Sequence, residues 1–198
     1  MSYQYVYAVI GAGRQGTAAA YDLLRWGEAG KVVLADRDIQ VARKAAIRIK
    51  RLLGAENIET FQVDVSDTSS LQRLLSGVDA CLSAVPYYYN LKITQVALEC
   101  GVSLCDLGGN TDIARQQHSY DEQARELGIS IIPNCGQVPG MGTTLCVYAM
   151  ELLDEPEEVF MWDGGLPQEP RPPFNYLLTF NVAGLTNEYA EPAIFIRN

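Results

Sequence analysis

Apolar runs and helical patterns alternate along residues 5–133. Val6–Ile10, Val32–Ala35, Glu59–Val63, Ala80–Val85, Val102–Asp106 and Ile129–Pro133 read as strands. Between them Gln15–Trp26, Gln40–Leu53, Thr68–Leu75, Leu91–Cys100 and Ile113–Leu127 read as helices. Gly54, Gly101 and Gly128 stand where three of these helices must stop. This alternation predicts an α/β fold: a doubly wound parallel Rossmann sheet covered by helices on both faces.

The rhythm changes after Pro133. Met141–Leu153 reads as a strongly apolar helix, and proline, glycine and strand formers dominate beyond it. Strands are predicted at Val159–Asp163, Tyr176–Val182 and Ala193–Ile196. The expected organisation is an NAD(P)-binding domain over residues 1–134, then a connecting helix and the start of a β-rich α+β substrate or dimerisation domain over 135–198. A few strands with open edges are not stable alone. The missing strands are therefore expected from a longer polypeptide or from a partner chain.

The first strand runs into Gly11-Ala12-Gly13-Arg14-Gln15-Gly16, a helix follows, and the second strand ends at Asp36. Strand, glycine turn, helix, strand and acid arrive in the order of a dinucleotide site. Gly11 permits the tight turn, Gly13 lets a pyrophosphate approach the backbone, and Gly16 lets the helix pack closely on the sheet. Free N–H groups of the helix start at Arg14 and Gln15 would face the phosphates. The Asp36 carboxylate can accept hydrogen bonds from ribose hydroxyls and would repel a 2′-phosphate, which favours NAD over NADP. Arg37 could pair with a 2′-phosphate or stack on adenine, so NADP stays open as the alternative.

Composition narrows the partners. A net charge of −9 over 198 residues argues against nucleic acid and against an anionic membrane surface. The hydrophobic fraction of 48% is enough for a real core. No apolar run approaches a membrane span, and the N-terminus lacks the basic start and apolar core of a signal peptide, so a cytoplasmic protein is expected. Five cysteines without a Cys-x-x-Cys pair suit a reducing compartment, and with one histidine no metal site is expected.

The segment Ile132-Pro133-Asn134-Cys135-Gly136-Gln137-Val138-Pro139-Gly140-Met141 resembles the saccharopine dehydrogenase superfamily, with nearest likeness to its lysine 6-dehydrogenase branch. Ala84-Val85-Pro86-Tyr87, Cys105-Asp106-Leu107-Gly108-Gly109, Gly164-Gly165-Leu166-Pro167-Gln168, Arg171–Tyr176 and Gly184–Tyr189 extend the likeness over nearly the whole chain. The resemblance implies an NAD(P)-dependent oxidoreductase acting at a carbon–nitrogen bond of a small amino-acid substrate. The lysine 6-dehydrogenase type takes hydride from the ε-carbon of L-lysine, and hydrolysis of the imine gives the 6-semialdehyde and ammonia. A saccharopine-type or carboxynorspermidine-type reductase using NADP is the alternative, and a nucleotide-binding fragment without catalysis is a third. The apolar C-terminal segments point to burial against another surface, and a homodimer is expected.

Hydride leaves an amine carbon readily only when nitrogen offers a lone pair. Lysine has a reference pKa of about 10.4, so the neutral amine costs roughly 4–5 kcal/mol at pH 7. A base and desolvation must reduce that cost. Asp106 ends strand five at the carboxyl edge, where open α/β sheets bind ligands. It could position the amine or take its proton, or it could be a turn residue before Gly108-Gly109. Cys135 follows strand six. The resemblance places it near nicotinamide and substrate, and the alternative is a small buried hydrophobe. The family pattern points to Tyr87 at the nicotinamide, with Tyr88 and Tyr89 turned elsewhere. Asp64-Val65 should flank the adenine, and Ala84, Val85 and Pro86 the nicotinamide half. On the resemblance alone, Gly165 and Asn175 belong to the opposite substrate wall. His118 shares a helix face with Arg115, Asp121, Glu122 and Arg125 and is expected in solvent.

Overall fold

A computed structural model describes residues 4–178, residues 181–190 and Pro192. Its core is one six-stranded, all-parallel sheet in the order β3-β2-β1-β4-β5-β6. The strands are β1 (Tyr5–Ile10), β2 (Ala29–Asp36), β3 (Ile58–Gln62), β4 (Ala80–Ser83), β5 (Ser103–Asp106) and β6 (Ile131–Ile132). Helices α1 (Arg14–Trp26), α2 (Ile39–Leu53), α3 (Thr68–Leu75), α4 (Asn90–Cys100), α5 (Thr111–His118) and α6 (Asp121–Leu127) connect them. This is the doubly wound order, with the chain reversing direction across the sheet between β1 and β4.

Two apolar clusters cover the two faces of the sheet. The two-residue period of β1 sends Ala8 and Ile10 to one cluster and Val9 to the other. Leu71, Leu74 and Leu75 of α3 and Ile93, Val96 and Ala97 of α4 close the first face. Ala20 of α1 and Ala42, Ala45, Ala46 and Ile49 of α2 close the second. In α2 those four positions recur at helical spacing on one stripe. The helix starts where the Asp38 carboxylate accepts the Gln40 N–H at 2.9 Å and stops at Gly54, φ +65°.

Some boundaries differ from the sequence reading. The helix expected over Ile113–Leu127 breaks into α5 and α6 at Ser119-Tyr120. The Ser119 hydroxyl donates to the Gln116 carbonyl at 2.6 Å and draws off a backbone acceptor of the last turn. Strand β4 ends before Pro86, which has no N–H to donate, although the Ala84 N–H still reaches the Ile10 carbonyl at 2.8 Å. Helix α7 spans Met141–Glu151 and is exposed over most of its length, with Leu145 57% and Tyr148 60% accessible. Val159–Asp163 is irregular rather than a strand, as are Tyr176–Leu178, and Val182 opens α8 (Val182–Ala190). Strands form only where neighbours take up their N–H and C=O groups. Ala193–Ile196 lies outside the described residues. Among the described residues, no helix is long and apolar enough to cross a membrane.

Candidate functional site

The glycine turn leaves β1 at the reversal point, and its three glycines answer to three different constraints. Gly11 has φ +102°, and a Cβ there would come within 2.7 Å of the Ala84 carbonyl oxygen. A Cβ on Gly16 would overlap the Gly11 carbonyl oxygen, because α1 lies directly against the turn. A Cβ on Gly13 would meet nothing within 4 Å. The chain itself thus gives no packing reason for the last glycine, and open space above it is what a pyrophosphate requires. Gly13 is the N-cap of α1. The helix has no side-chain cap and no acid in its first turn, so its leading N–H groups are available to an anion. Arg14 and Gln15 flank them in solvent.

Asp36 is folded back onto this turn. Its Oδ2 accepts the Ala12 N–H at 2.8 Å, and its Oδ1 accepts the Asp38 N–H at 2.9 Å. The negative charge is therefore fixed beside the glycines at the carboxyl end of β2. Arg37 is exposed next to it, its carbonyl held by Gln62 Nε2 at 3.0 Å. Asp64 follows β3. The Ser66 hydroxyl and N–H, at 2.6 and 2.8 Å, hold its carboxyl below the usual range, and the fields of Arg37 and Lys92 act in the same direction. Lys92 of α4 donates to the Ser66 carbonyl, which closes this side of the site next to Val65.

Ala84, Val85 and Pro86 continue β4 beyond the turn, all half-buried. The three tyrosines then form a single 3₁₀ turn and diverge. Tyr87 lies where a Cβ on Gly109 would be 3.2 Å from its ring, Tyr88 is 52% exposed, and Tyr89 packs against the core.

Asp106 is 1% exposed, and both carboxylate oxygens are occupied. Oδ1 accepts the N–H groups of Gly108 at 2.7 Å and Asn134 at 3.1 Å, and Oδ2 accepts Gln117 Nε2 at 2.7 Å. The Asp106 carbonyl accepts the Cys135 N–H at 2.7 Å. Three of its roughly four acceptor sites are thus filled from within the chain. Cys135 is half-buried, and its thiol donates to the Ile132 carbonyl at 3.4 Å and meets the Cys105 thiol. Burial raises the Cys135 thiol above its ordinary value and pushes that of Cys105 up to about 12. Burial thus works against thiolate formation at both positions, the opposite of what activates a cysteine nucleophile.

The structure brings Gly11–Gly16, Asp36, Asp64, Ala84–Tyr87, Asp106 and Cys135 to the carboxyl edge of one sheet. It does not bring in Gly165 or Asn175. Gly165 stands in open space, and Asn175, at φ +52°, is held within its own turn by the Arg171 carbonyl at 2.9 Å. Asn187 of α8 does reach the edge, donating to the Gly109 carbonyl at 2.6 Å. Neither Asn187 nor Gln117 is singled out by the sequence reading. Two surface hollows, of about 290 and 410 Å³, lie elsewhere, along β6 and between α7 and residues 160–163. His118 is exposed, and among the described residues no cluster of three or more His, Cys, Asp or Glu is placed to hold a metal.

Residues 7–132 match the family model of the saccharopine dehydrogenase NADP-binding domain. The carboxyaminopropylagmatine dehydrogenase of Synechocystis is 24% identical over 72% of this chain and 37% of its own length. The carboxynorspermidine synthase of Vibrio alginolyticus is 26% identical over 78% of this chain and 42% of its own. Among solved structures, apo saccharopine dehydrogenase (L-Glu forming) of Saccharomyces cerevisiae superposes with a TM-score of 0.59 at 20% identity, covering 75% of this chain and 30% of that one. The chain thus spans well under half the length of these relatives.

Proposed function

We propose, from the premise that this chain belongs to the saccharopine dehydrogenase family, that it forms the dinucleotide-binding part of an NAD-dependent oxidoreductase acting at the carbon–nitrogen bond of an amino acid. The ε-amine of L-lysine is the substrate we favour, oxidised to the imine and hydrolysed to the 6-semialdehyde and ammonia. The observation that carries the cofactor assignment is the Asp36 carboxylate, pinned to the Ala12 N–H at 2.8 Å where a ribose would lie. A fixed anion there accepts the 2′- and 3′-hydroxyls and opposes a 2′-phosphate. The lysine assignment rests on the motifs at residues 132–141 and 164–168.

The bound nicotinamide supplies the hydride acceptor, and the rest of the work falls to the chain. Backbone N–H groups at the start of α1 hold the pyrophosphate over Gly13. Asp36 orients the adenosine ribose, and Asp64 and Val65 border the adenine. Ala84, Val85 and Pro86 form an apolar wall for the nicotinamide half and keep water from it. Tyr87 and Cys135 mark the substrate side of that wall. Asp106 accepts N–H groups from both turns on that side.

The exposed Arg37 and the NADP-binding description of the family model favour a second reading, an NADP-dependent reductase of the saccharopine or carboxynorspermidine type. One assay separates the two. NADH formation from L-lysine and NAD, without NADPH formation from NADP, supports the first. Oxidation of NADPH with an aldehyde and a second amine supports the other. Failure to bind either dinucleotide overturns both.

A further inference from the structure

Six polar side chains are buried among the described residues: Ser70, Ser83, Asn90, Thr94, Asp106 and Gln117. Five of them form two linked hydrogen-bonded groups under the carboxyl ends of β4 and β5. Gln117 of α5 donates both amide hydrogens, one to Asp106 Oδ2 at 2.7 Å and one to Thr94 Oγ1 at 2.9 Å. The Thr94 hydroxyl donates to the Asn90 carbonyl at 2.8 Å, and the Ser83 hydroxyl donates to Asn90 Oδ1 at 2.7 Å. From Asp106 Oδ1 the network reaches the N–H groups of Gly108 and Asn134.

A buried hydrogen-bonded pair gains little net stability over a pair of apolar residues of the same shape, although removing one partner alone strands the other. What the Gln117 amide does provide is direction. Its target, Asp106, holds two turns of unusual backbone: Gly108 and Gly109 at φ +77° and +119°, and Asn134 at φ +63°. Asparagine adopts the left-handed region more readily than other side-chain-bearing residues, and the bond from the Asn134 N–H to Asp106 fixes the turn there. Gly109 is also the residue against which Tyr87 rests. In a doubly wound sheet the adenosine half lies over β1–β3 and the nicotinamide half over β4–β6, so the whole network underlies the second half.

We infer that Gln117 is a positioning residue for the nicotinamide half of the site, clamping Asp106 so that the Gly108–Gly109 and Asn134–Cys135 turns form the floor on which that half rests. Asp106 is then the anchor of that floor. This rests on the dinucleotide reading above.

The test compares two ligands by calorimetry: NADH, and ADP-ribose, which keeps the adenosine, pyrophosphate and second ribose but lacks nicotinamide. In Gln117→Leu, loss of the clamp weakens NADH about tenfold and leaves ADP-ribose within about twofold, since a stranded buried partner relaxes the floor beneath the ring alone. Retained ADP-ribose binding also shows that the variant is folded. Equal weakening of both ligands, or no change in either, overturns the inference. If Gln117→Leu does not fold, Thr94→Val decides by the same ratio, because it removes the amide's second anchor and leaves the shape of the core intact. Wild-type protein that binds neither ligand overturns the dinucleotide reading itself, and is distinct from a variant whose ratio stays at the wild-type value.

Discussion

Replacing Gly13 with alanine separates folding from binding at a single methyl group. Gly13 has φ −69° and ψ −164°, a conformation open to any L-residue, and the added Cβ meets nothing within 4 Å. Two small effects on stability oppose one another. Alanine restricts the unfolded chain, worth about 0.4–1 kcal/mol in favour of folding. Alanine is also a poorer N-cap than glycine, a loss of roughly 0.5–1 kcal/mol. The melting temperature should therefore stay near that of the wild type. Binding has no such compensation. The methyl group occupies the approach of the pyrophosphate, which must shift outward and lengthen charge-assisted hydrogen bonds worth about 1.5–3 kcal/mol each. Weakening or losing one such bond predicts a Kd for NAD raised about 10- to 100-fold. Calorimetric titration with NAD beside a thermal melt reads both quantities. An unchanged melt with an unchanged Kd would show that the pyrophosphate does not cross Gly13. A collapsed melt would show that the open space above it does not exist.

Gly16→Ala should behave in the opposite way, since its Cβ overlaps a backbone carbonyl: a loss of stability of about 3 kcal/mol or more in a denaturant titration, and a variant as stable as the wild type would refute the close approach of α1 to the turn. Asp36→Ser removes the charge beside the ribose. The ratio of NADP to NAD affinity should rise at least about tenfold, and an unaltered ratio would remove Asp36 from cofactor selection. Burial raises the Cys135 thiol, so its alkylation by iodoacetamide, followed by mass spectrometry against pH, should be slower at neutral pH than that of a free cysteine and should accelerate only in alkali. The Asp64 carboxyl is held below its ordinary value of 3.8 by Ser66, so the stabilisation it gives is present above that pH and is lost as pH falls through the lower folded value. Ser66→Ala should move the Asp64 titration, followed by NMR, back up toward 3.8, and no upward movement would refute the hydrogen-bond origin of the shift.

The features from which an adenosine half is proposed could be read in sequence because they are local. Strand, glycine turn, helix and acid fall within residues 5–36, and each residue type has one dominant physical reason to stand where it does. The parallel sheet followed from the same regularity. Apolar periodicity fails where a helix changes phase. Read as one helix, residues 113–127 place Ile113, Tyr120, Ala124 and Leu127 on the inner face. The break at Ser119-Tyr120 brings Ala114 inward on α5 and leaves Leu127 exposed, while Gln117, four residues after Ile113 and three before Tyr120, lies on the inner stripe in either reading. A buried glutamine has no signature in a pattern of apolar positions, so Asp106 stayed open in sequence between a substrate-facing acid and a turn residue, and its bond to Gln117 was not foreseen.

The nicotinamide half has a different kind of encoding, and that difference explains the asymmetry. Its floor draws on β4, α4, β5, α5 and the turn after β6, and α8 reaches it through an Asn187–Gly109 bond spanning 78 positions. No single short motif carries the whole of it, because bonds such as Gln117–Thr94 and Asn134–Asp106 join residues far apart in the chain. In the proposed adenosine half the glycine turn depends on steric permission, the absence of a side chain at three glycines, and steric permission is readable residue by residue. The nicotinamide half is held by hydrogen-bond direction within a buried network, where removing one member strands the next. Substitutions should divide along the same line. At the glycines their effect follows from the volume added at that one position. Around Asp106 it follows from which donor or acceptor is left without its partner, so Gln117 and Thr94 should couple strongly in a double-mutant cycle on NADH affinity, and the glycines should couple to neither.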